Sequence, residues 1–201
     1  TFQDLPKEVS LKLAKECDLR YGENPHQKAA FYGYENQKPC GLTQLKQLNG
    51  KELSFNNLLD LNAALEVIKG FKEPAAVIIK HNNPTGVAEA ETLVQAYRFA
   101  HSADRLSAFG GIIGLNKKVD EETAAAIGES GFMECVIAPG YERAALKILS
   151  QKKNLRVIQL NFRDLDKGAY QLKQVDGGFL LQDFDRKTVS EKDLTFPTKK
   201  K

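Results

Sequence analysis

"AAVIIKHNNPTGVA", residues 75–88, runs five aliphatic residues without polar alternation into a lysine, a histidine and two asparagines, then meets a proline and a glycine. An unbroken apolar run of this kind belongs to an inner strand covered on both faces, because a half-exposed strand would alternate. The stretch therefore predicts a buried strand over Ala75–Ile79 that ends by presenting the ammonium of Lys80 beside the imidazole of His81. Pro84 and Gly86 are expected to fix the turn, with Asn82 and Asn83 tolerating unusual backbone angles or donating hydrogen bonds to a ligand. Charged strand ends are ordinary, and a Lys-His pair taken by itself is more often a solvated terminus than chemistry.

On either side of this strand, short β-rich runs alternate with helical patterns, the rhythm of a sheet with helices packed on its faces. Further strands are expected at Leu45–Leu48, Gly111–Leu115, Cys135–Ala138 and Leu155–Leu160. Leu58, Leu61, Leu65 and Ile68 share one face of a helix for which Gly70 is the expected stop, and Leu93, Ala96, Tyr97 and Ala100 repeat the spacing in the next. Asp120 is placed to cap a third helix with Glu121 and Glu122 in its first turn, and Ala145, Ile148 and Leu149 form the apolar side of a fourth. Residues 1–40 read as a less regular segment, amphipathic around Val9–Cys17 and then loop-like. Residues 41–165 form the core, and residues 166–201 an extension in which Gly177-Gly178 breaks a short extended stretch and the last residues fray.

A chain of 201 residues is long enough to bury a core. Its 29 basic and 26 acidic side chains are mixed along the sequence, which offers no polybasic face for a nucleic acid. No apolar run reaches the eighteen or so residues of a membrane span, so neither nucleic acid nor membrane is an expected partner. Cys17, Cys40 and Cys135 are widely spaced and outside any CxxC arrangement, which favours a reducing compartment over a disulfide framework or a cysteine-built zinc site. The cytoplasm is expected, or an organelle if a leader preceded Thr1. The absence of a starting methionine suggests a processed protein or a piece of a longer one.

Three more stretches carry candidate chemistry. LRYGENPHQ, residues 19–27, gathers Arg20, Tyr21, Asn24 and His26 on a segment that Gly22 and Pro25 can bend, a reasonable cradle for an anion or nucleotide. SAFGGIIG, residues 107–114, sets Gly110 and Gly111 at a strand entrance, where missing side chains allow close approach of a ligand or simply tight packing. Glu134 in MECVIAPGY can accept hydrogen bonds from an amine or ribose, or cap a strand edge. Neither the Walker spacing nor GxGxxG is present.

In this order and spacing, LRYGENPHQ, LNGKELSFNNLLDLNAALE, KHNNPTG, DRLSAFGGI and IAPGYE closely resemble the formyltransferase part of the AICAR transformylase/IMP cyclohydrolase family, over residues 18–160 well and more loosely beyond. The resemblance implies a three-layer α/β/α fold of the cytidine-deaminase type with a mixed sheet. It implies transfer of a formyl group from the cosubstrate 10-formyltetrahydrofolate to the 5-amino group of AICAR, giving FAICAR. By the same resemblance His81 is the base on the amine, Lys80 stabilises the transition state, Arg20, Tyr21, Gly110 and Glu134 contact the nucleotide, and Phe109 contacts the folate. The family position of Glu134 is often aspartate, and that of Thr85 is often cysteine in bacteria. The zinc signatures of deaminases, His-x-Glu and Pro-Cys-x-x-Cys, do not occur, so no metal is expected and shared fold does not imply shared chemistry. Family members carry an upstream cyclohydrolase domain and a second deaminase-like half. Neither has a counterpart here, so the chain is expected to be a portion of the enzyme, inactive alone, with sites at a homodimer interface. The competing reading is a noncatalytic purine-nucleotide-binding or regulatory fragment.

Overall fold

The computed structural model describes residues 5–35, 38–162, 170–185, 187, 189–195 and 197. The chain divides into two units, Thr1–Leu165 and Asp166–Lys201. The expected boundary after residue 165 and the frayed end expected at residues 196 and 198–201 fall outside the described residues.

The first unit is built on a six-stranded sheet. Its strands are β3 (Lys46–Asn49), β4 (Ala75–Lys80), β5 (Asn83–Glu89), β6 (Ile112–Leu115), β7 (Cys135–Ala138) and β8 (Arg156–Gln159), in the spatial order β3-β8-β7-β6-β4-β5. Strands β6, β7 and β8 are mutually parallel, while β4 runs antiparallel to both β5 and β6, and β3 antiparallel to β8. The sheet is therefore mixed, as expected. Helices α1 (Phe55–Ile68), α2 (Leu93–Ala103), α3 (Arg105–Ala108), α4 (Glu121–Glu129) and α5 (Arg143–Leu149) complete it.

The apolar run that predicted an inner strand feeds two separate cores. Ala75, Val77 and Ile79 point to one face, where Leu58, Leu61, Ala64, Leu65 and Ile68 of α1 cover them. Ala76 and Ile78 point to the other, against Leu93, Ala96, Tyr97 and Ala100 of α2, with α4 and α5 continuing the layer. All five strand residues are fully buried. Burying Val77, Ile78 and Ile79 contributes roughly 1.5–3 kcal/mol each, which holds β4 firmly between the two helical layers. The three layers are thus α1, the sheet, and α2 with α4 and α5.

Local rules account for the helix ends. Ser54 caps α1 through Asn57 N–H at 3.2 Å while Asn57 Oδ1 accepts from Ser54 N–H at 3.1 Å, a reciprocal box. Asp120 caps α4 through Thr123 N–H at 2.8 Å, with Glu121 and Glu122 in the first turn as expected. Gly70 is not among the left-handed glycines, so α1 stops at Ile68 without the glycine cap the sequence suggested.

Two regions differ from the sequence reading. The amphipathic stretch at Val9–Cys17 enters β1 (Leu13–Leu19), which pairs antiparallel with β2 (Ala29–Tyr34), so LRYGENPHQ is a hairpin connection; Leu19 and Phe31 pack on the α1 face of the core. In KHNNPTG the turn is His81-Asn82 alone, with φ of 51° and 61°, and Pro84 and Gly86 lie inside β5. Left-handed backbone at both central positions is the signature of a type I′ two-residue hairpin. Pro84 is tolerated because β5 is an edge strand. Gly86 serves packing: a Cβ there would lie 2.0 Å from the Ala100 carbonyl oxygen of α2.

The second unit contains β9 (Tyr170–Val175) and β10 (Gly178–Asp183), an antiparallel pair turning at Asp176-Gly177, followed by a 3₁₀ turn at Glu191–Asp193. The expected single broken strand is therefore a hairpin.

Candidate active site

Strand β4 delivers Lys80 and His81 to one end of the sheet. Because β4 is antiparallel to the parallel trio, this is the amino end of β6, β7 and β8, whereas ligand clefts of parallel sheets usually open at the carboxyl ends. The expected position of the pair is right, but the general rule invoked for it does not apply. At this same end Gly110 precedes β6, Glu134 precedes β7 and Arg156 opens β8.

Arg20, Tyr21, Ser54, Asn56, Asn57, Asp60, Lys80, His81, Gly110 and Glu134 line one cavity of about 200 Å³. Residues far apart in sequence are thus brought to one volume. A second cavity of about 360 Å³ shares Asn56, Asp60 and His81 and adds Glu23, Leu59 and Asn82, so the imidazole stands where the two meet.

Each wall is fixed by identifiable contacts. The β1–β2 connection is tied to the start of α1 by Phe55 N–H donating to Tyr21 C=O at 3.4 Å and Asn56 Nδ2 donating to Glu23 C=O at 3.1 Å. Within it the Arg20 guanidinium lies 4.6 Å from the centre of the Tyr21 ring and donates to its hydroxyl at 2.8 Å, a stacked arrangement that directs the planar cation. Asn24 instead holds the loop through Gln27, and neither it nor His26 lines either cavity.

Lys80 donates to the Phe109 carbonyl at 2.8 Å, using one of its three N–H bonds and pinning the chain before Gly110. Gly110 adopts φ of 74° and its N–H donates to Phe132 C=O at 2.8 Å, so its role is backbone geometry. Gly111 serves packing, as a Cβ there would meet the Ala108 carbonyl oxygen at 2.9 Å and Ile78 Cγ2 at 3.0 Å. The Phe109 ring packs against Phe132 at 5.7 Å, is 58% exposed, and lines neither cavity.

Glu134 is not a lone acceptor. Its Oε2 accepts from Arg156 Nη1 at 2.5 Å, and Arg156, whose side chain is 4% exposed, also donates from Nε to Glu52 C=O at 3.0 Å. Sequence reasoning missed Arg156, although an arginine inside the strand pattern LRVIQL signals a buried, paired charge. It also missed Ser54, Asn56 and Asn57 at the start of α1 and Asp60 further along it. The S-x-x-N spacing at residues 54–57 is the available signal for the cap.

A model of the AICARFT/IMPCHase bienzyme family matches residues 1–201. The chain belongs to that family. It is 48% identical over 200 residues to the bifunctional purine biosynthesis protein PurH of Acetivibrio thermocellus, covering 98% of this chain and 39% of that protein. The PurH of Oceanobacillus iheyensis is 47% identical over 200 residues, covering 100% of this chain and 39% of the relative, and that of Thermoanaerobacter sp. is 48% identical over 198 residues, covering 98% and 38%. The chain therefore spans about two fifths of the length of the curated relatives it matches. Membership agrees with the five motifs that suggested it.

Proposed function

We propose that the chain carries the catalytic pair of an AICAR formyltransferase, which moves a formyl group from 10-formyltetrahydrofolate to the 5-amino group of AICAR and yields FAICAR. The observation that carries this reading is the shared cavity of Arg20, Tyr21, Lys80, His81, Gly110 and Glu134. Arg20 and the amino end of α1 suit the phosphate of a nucleotide, since both offer positive charge and N–H donors to an anion.

The chemistry needs two kinds of help. The amine is conjugated with its imidazole ring and is a weak nucleophile, so His81 accepts its proton as the nitrogen–formyl bond forms. The formyl oxygen then gains negative charge, which the Lys80 ammonium balances at short range in a partly enclosed site. When the bond from the formyl carbon to the folate nitrogen breaks, that nitrogen takes up a proton, so one proton passes overall from the amine to the leaving group. Two cavities meeting at one imidazole suit a reaction with two substrates. The site is proposed to be completed by residues outside this chain, across a homodimer interface, so the chain alone is expected to bind AICAR weakly and to lack turnover.

The test is formyl transfer by the full-length gene product, beside AICAR binding by the 201-residue chain. Turnover that disappears in His81→Ala with AICAR affinity within about threefold supports the reading. AICAR binding without any formyl transfer in the full-length product overturns it in favour of a noncatalytic nucleotide-binding protein.

A further inference from the structure

The His81-Asn82 turn is held at both ends of its central peptide. The His81 carbonyl accepts from Asn83 Nδ2 at 2.8 Å, and the Asn82 N–H donates to Asp60 Oδ1 at 2.7 Å. These two groups belong to the same peptide plane, the one that rotates when a two-residue hairpin changes type. Left-handed backbone at a non-glycine residue costs about 1–2 kcal/mol, and here two such residues stand side by side. Nothing in the hairpin ladder itself takes the N–H of the second turn residue, so its partner must come from elsewhere. Asp60 supplies it from the middle of α1, a helix whose Leu58, Leu61, Ala64 and Leu65 are locked into the core over β4. Aspartate is a poor helix former at an interior position, so its presence there is accounted for by this contact rather than by α1.

We propose that Asp60 is a positioning residue: by accepting from Asn82 N–H it fixes the orientation of the turn peptide and thereby the imidazole of His81 where the two cavities meet. The inference rests on the proposed role of His81. The strand fixes the turn from below and α1 fixes it from the side, so the ring is defined by two packed elements instead of by a free hairpin tip. What matters is acceptance of a hydrogen bond at Oδ1, not the negative charge.

The experiment compares Asp60→Ala with Asp60→Asn in the full-length protein, since asparagine keeps the acceptor and loses the charge. Asp60→Ala is expected to lower kcat for formyl transfer about 10- to 100-fold, the scale of a displaced catalytic group, with KM for AICAR within about threefold. Asp60→Asn should retain kcat within about threefold. Amide hydrogen exchange at Asn82 should accelerate in the alanine variant and stay slow in the asparagine variant. An alanine variant with parental kcat, a loss confined to KM, or an asparagine variant as impaired as alanine each overturns the proposal. If the alanine variant does not fold, Asp60→Asn decides: loss of kcat in a folded asparagine variant, or fast Asn82 exchange in it, overturns the role. If the parent protein transfers no formyl group, the reading of His81 fails while Asn82 exchange still tests the clamp.

Discussion

The sheet has hollows at both ends, and the largest single cavity of the three compared is chemically the poorest. At the carboxyl ends of β7 and β8, Leu48, Lys118, Pro139, Gly140, Tyr141, Leu146 and Gln159 line about 460 Å³, more than twice the roughly 200 Å³ that holds Lys80 and His81. The polar groups of the larger hollow are committed inward. The Tyr141 hydroxyl is shared between the carbonyls of Ile158 at 2.8 Å and Val136 at 3.1 Å, and burial pushes its phenol well above the ordinary range, so it stays a structural donor. Gln159 Nε2 reaches Pro139 C=O at 3.3 Å. Among the described residues that line the larger hollow, Lys118 is the one charged side chain. At the smaller end an arginine, a lysine, a histidine, two carboxylates and three asparagine or serine side chains converge. The volume of a single cavity and the carboxyl-end rule both favour the first hollow; convergence of polar groups from separate elements favours the second, where the proposed site lies.

The sharpest way to break this comparison is to make a similar truncation at each end. His81→Ala should lower formyl transfer about 100-fold or more, the scale of a lost general base, whereas Lys118→Ala should leave it within about twofold. Steady-state assays of the two variants in parallel decide the matter; comparable losses would mean that both hollows serve the reaction.

The ends should differ in stability as well. Arg156→Met removes the partner of the Glu134 carboxylate and frees the Glu52 carbonyl; because the Glu134 side chain is 34% exposed, the loss is that of a charge-assisted hydrogen bond, about 1.5–3 kcal/mol. Lys118→Ala, on the exposed rim opposite, should change stability by less than about 0.5 kcal/mol. Urea midpoints measure both. A neutral Arg156→Met would show that the pair is there for the site alone. Gly86→Ala, where the new Cβ meets the Ala100 carbonyl of α2, should cost about 1–3 kcal/mol through overpacking; since β5 follows the His81 turn, this variant also tests whether a shifted edge strand disturbs turnover.

What could be read from the sequence follows the same division. The inner strand and the four core helices were legible because burial leaves runs and periodicities that depend on the residues alone, whereas the mixed character of the sheet came only from the family resemblance. The candidate site residues were proposed from motifs, and one cavity is lined by six of the seven, Phe109 lying outside it. The turn was misassigned because His81 carries no mark of a left-handed backbone. Proline and glycine normally signal turns, and here they serve an edge strand and a helix contact. The β1–β2 hairpin was obscured because β1 is mostly exposed and has an irregularity between Lys15 and Cys17, which interrupts the alternation a strand would show. Asp60 and Arg156 were missed for a common reason. Each acts through a partner distant in sequence, Asn82 at one and Glu134 at the other.

The smallest effect separates the pH dependence of the scaffold from that of the site. His101, in the last turn of α2, stacks on Tyr97 at 5.8 Å, and burial followed by the nearby Arg105 charge lowers its pKa below the ordinary histidine value. A histidine whose pKa is depressed on folding binds its proton more readily in the unfolded chain. Its contribution to stability is therefore complete above the unfolded pKa of about 6.5 and declines as the pH falls towards the folded value. The C-terminal dipole of α2 would favour the charged ring, so the downward shift means that burial and Arg105 outweigh it. His101→Gln should flatten the decline in melting temperature on going from about pH 7.5 to about pH 5.5, while formyl transfer keeps its pH profile, because His101 lines neither cavity around His81. A variant whose melting temperature falls as steeply as the parent's would assign the acid sensitivity to other groups. A variant whose catalytic profile moves would mean that α2 communicates with the site through Gly86 and β5, and the two ends of the sheet could then no longer be treated as independent.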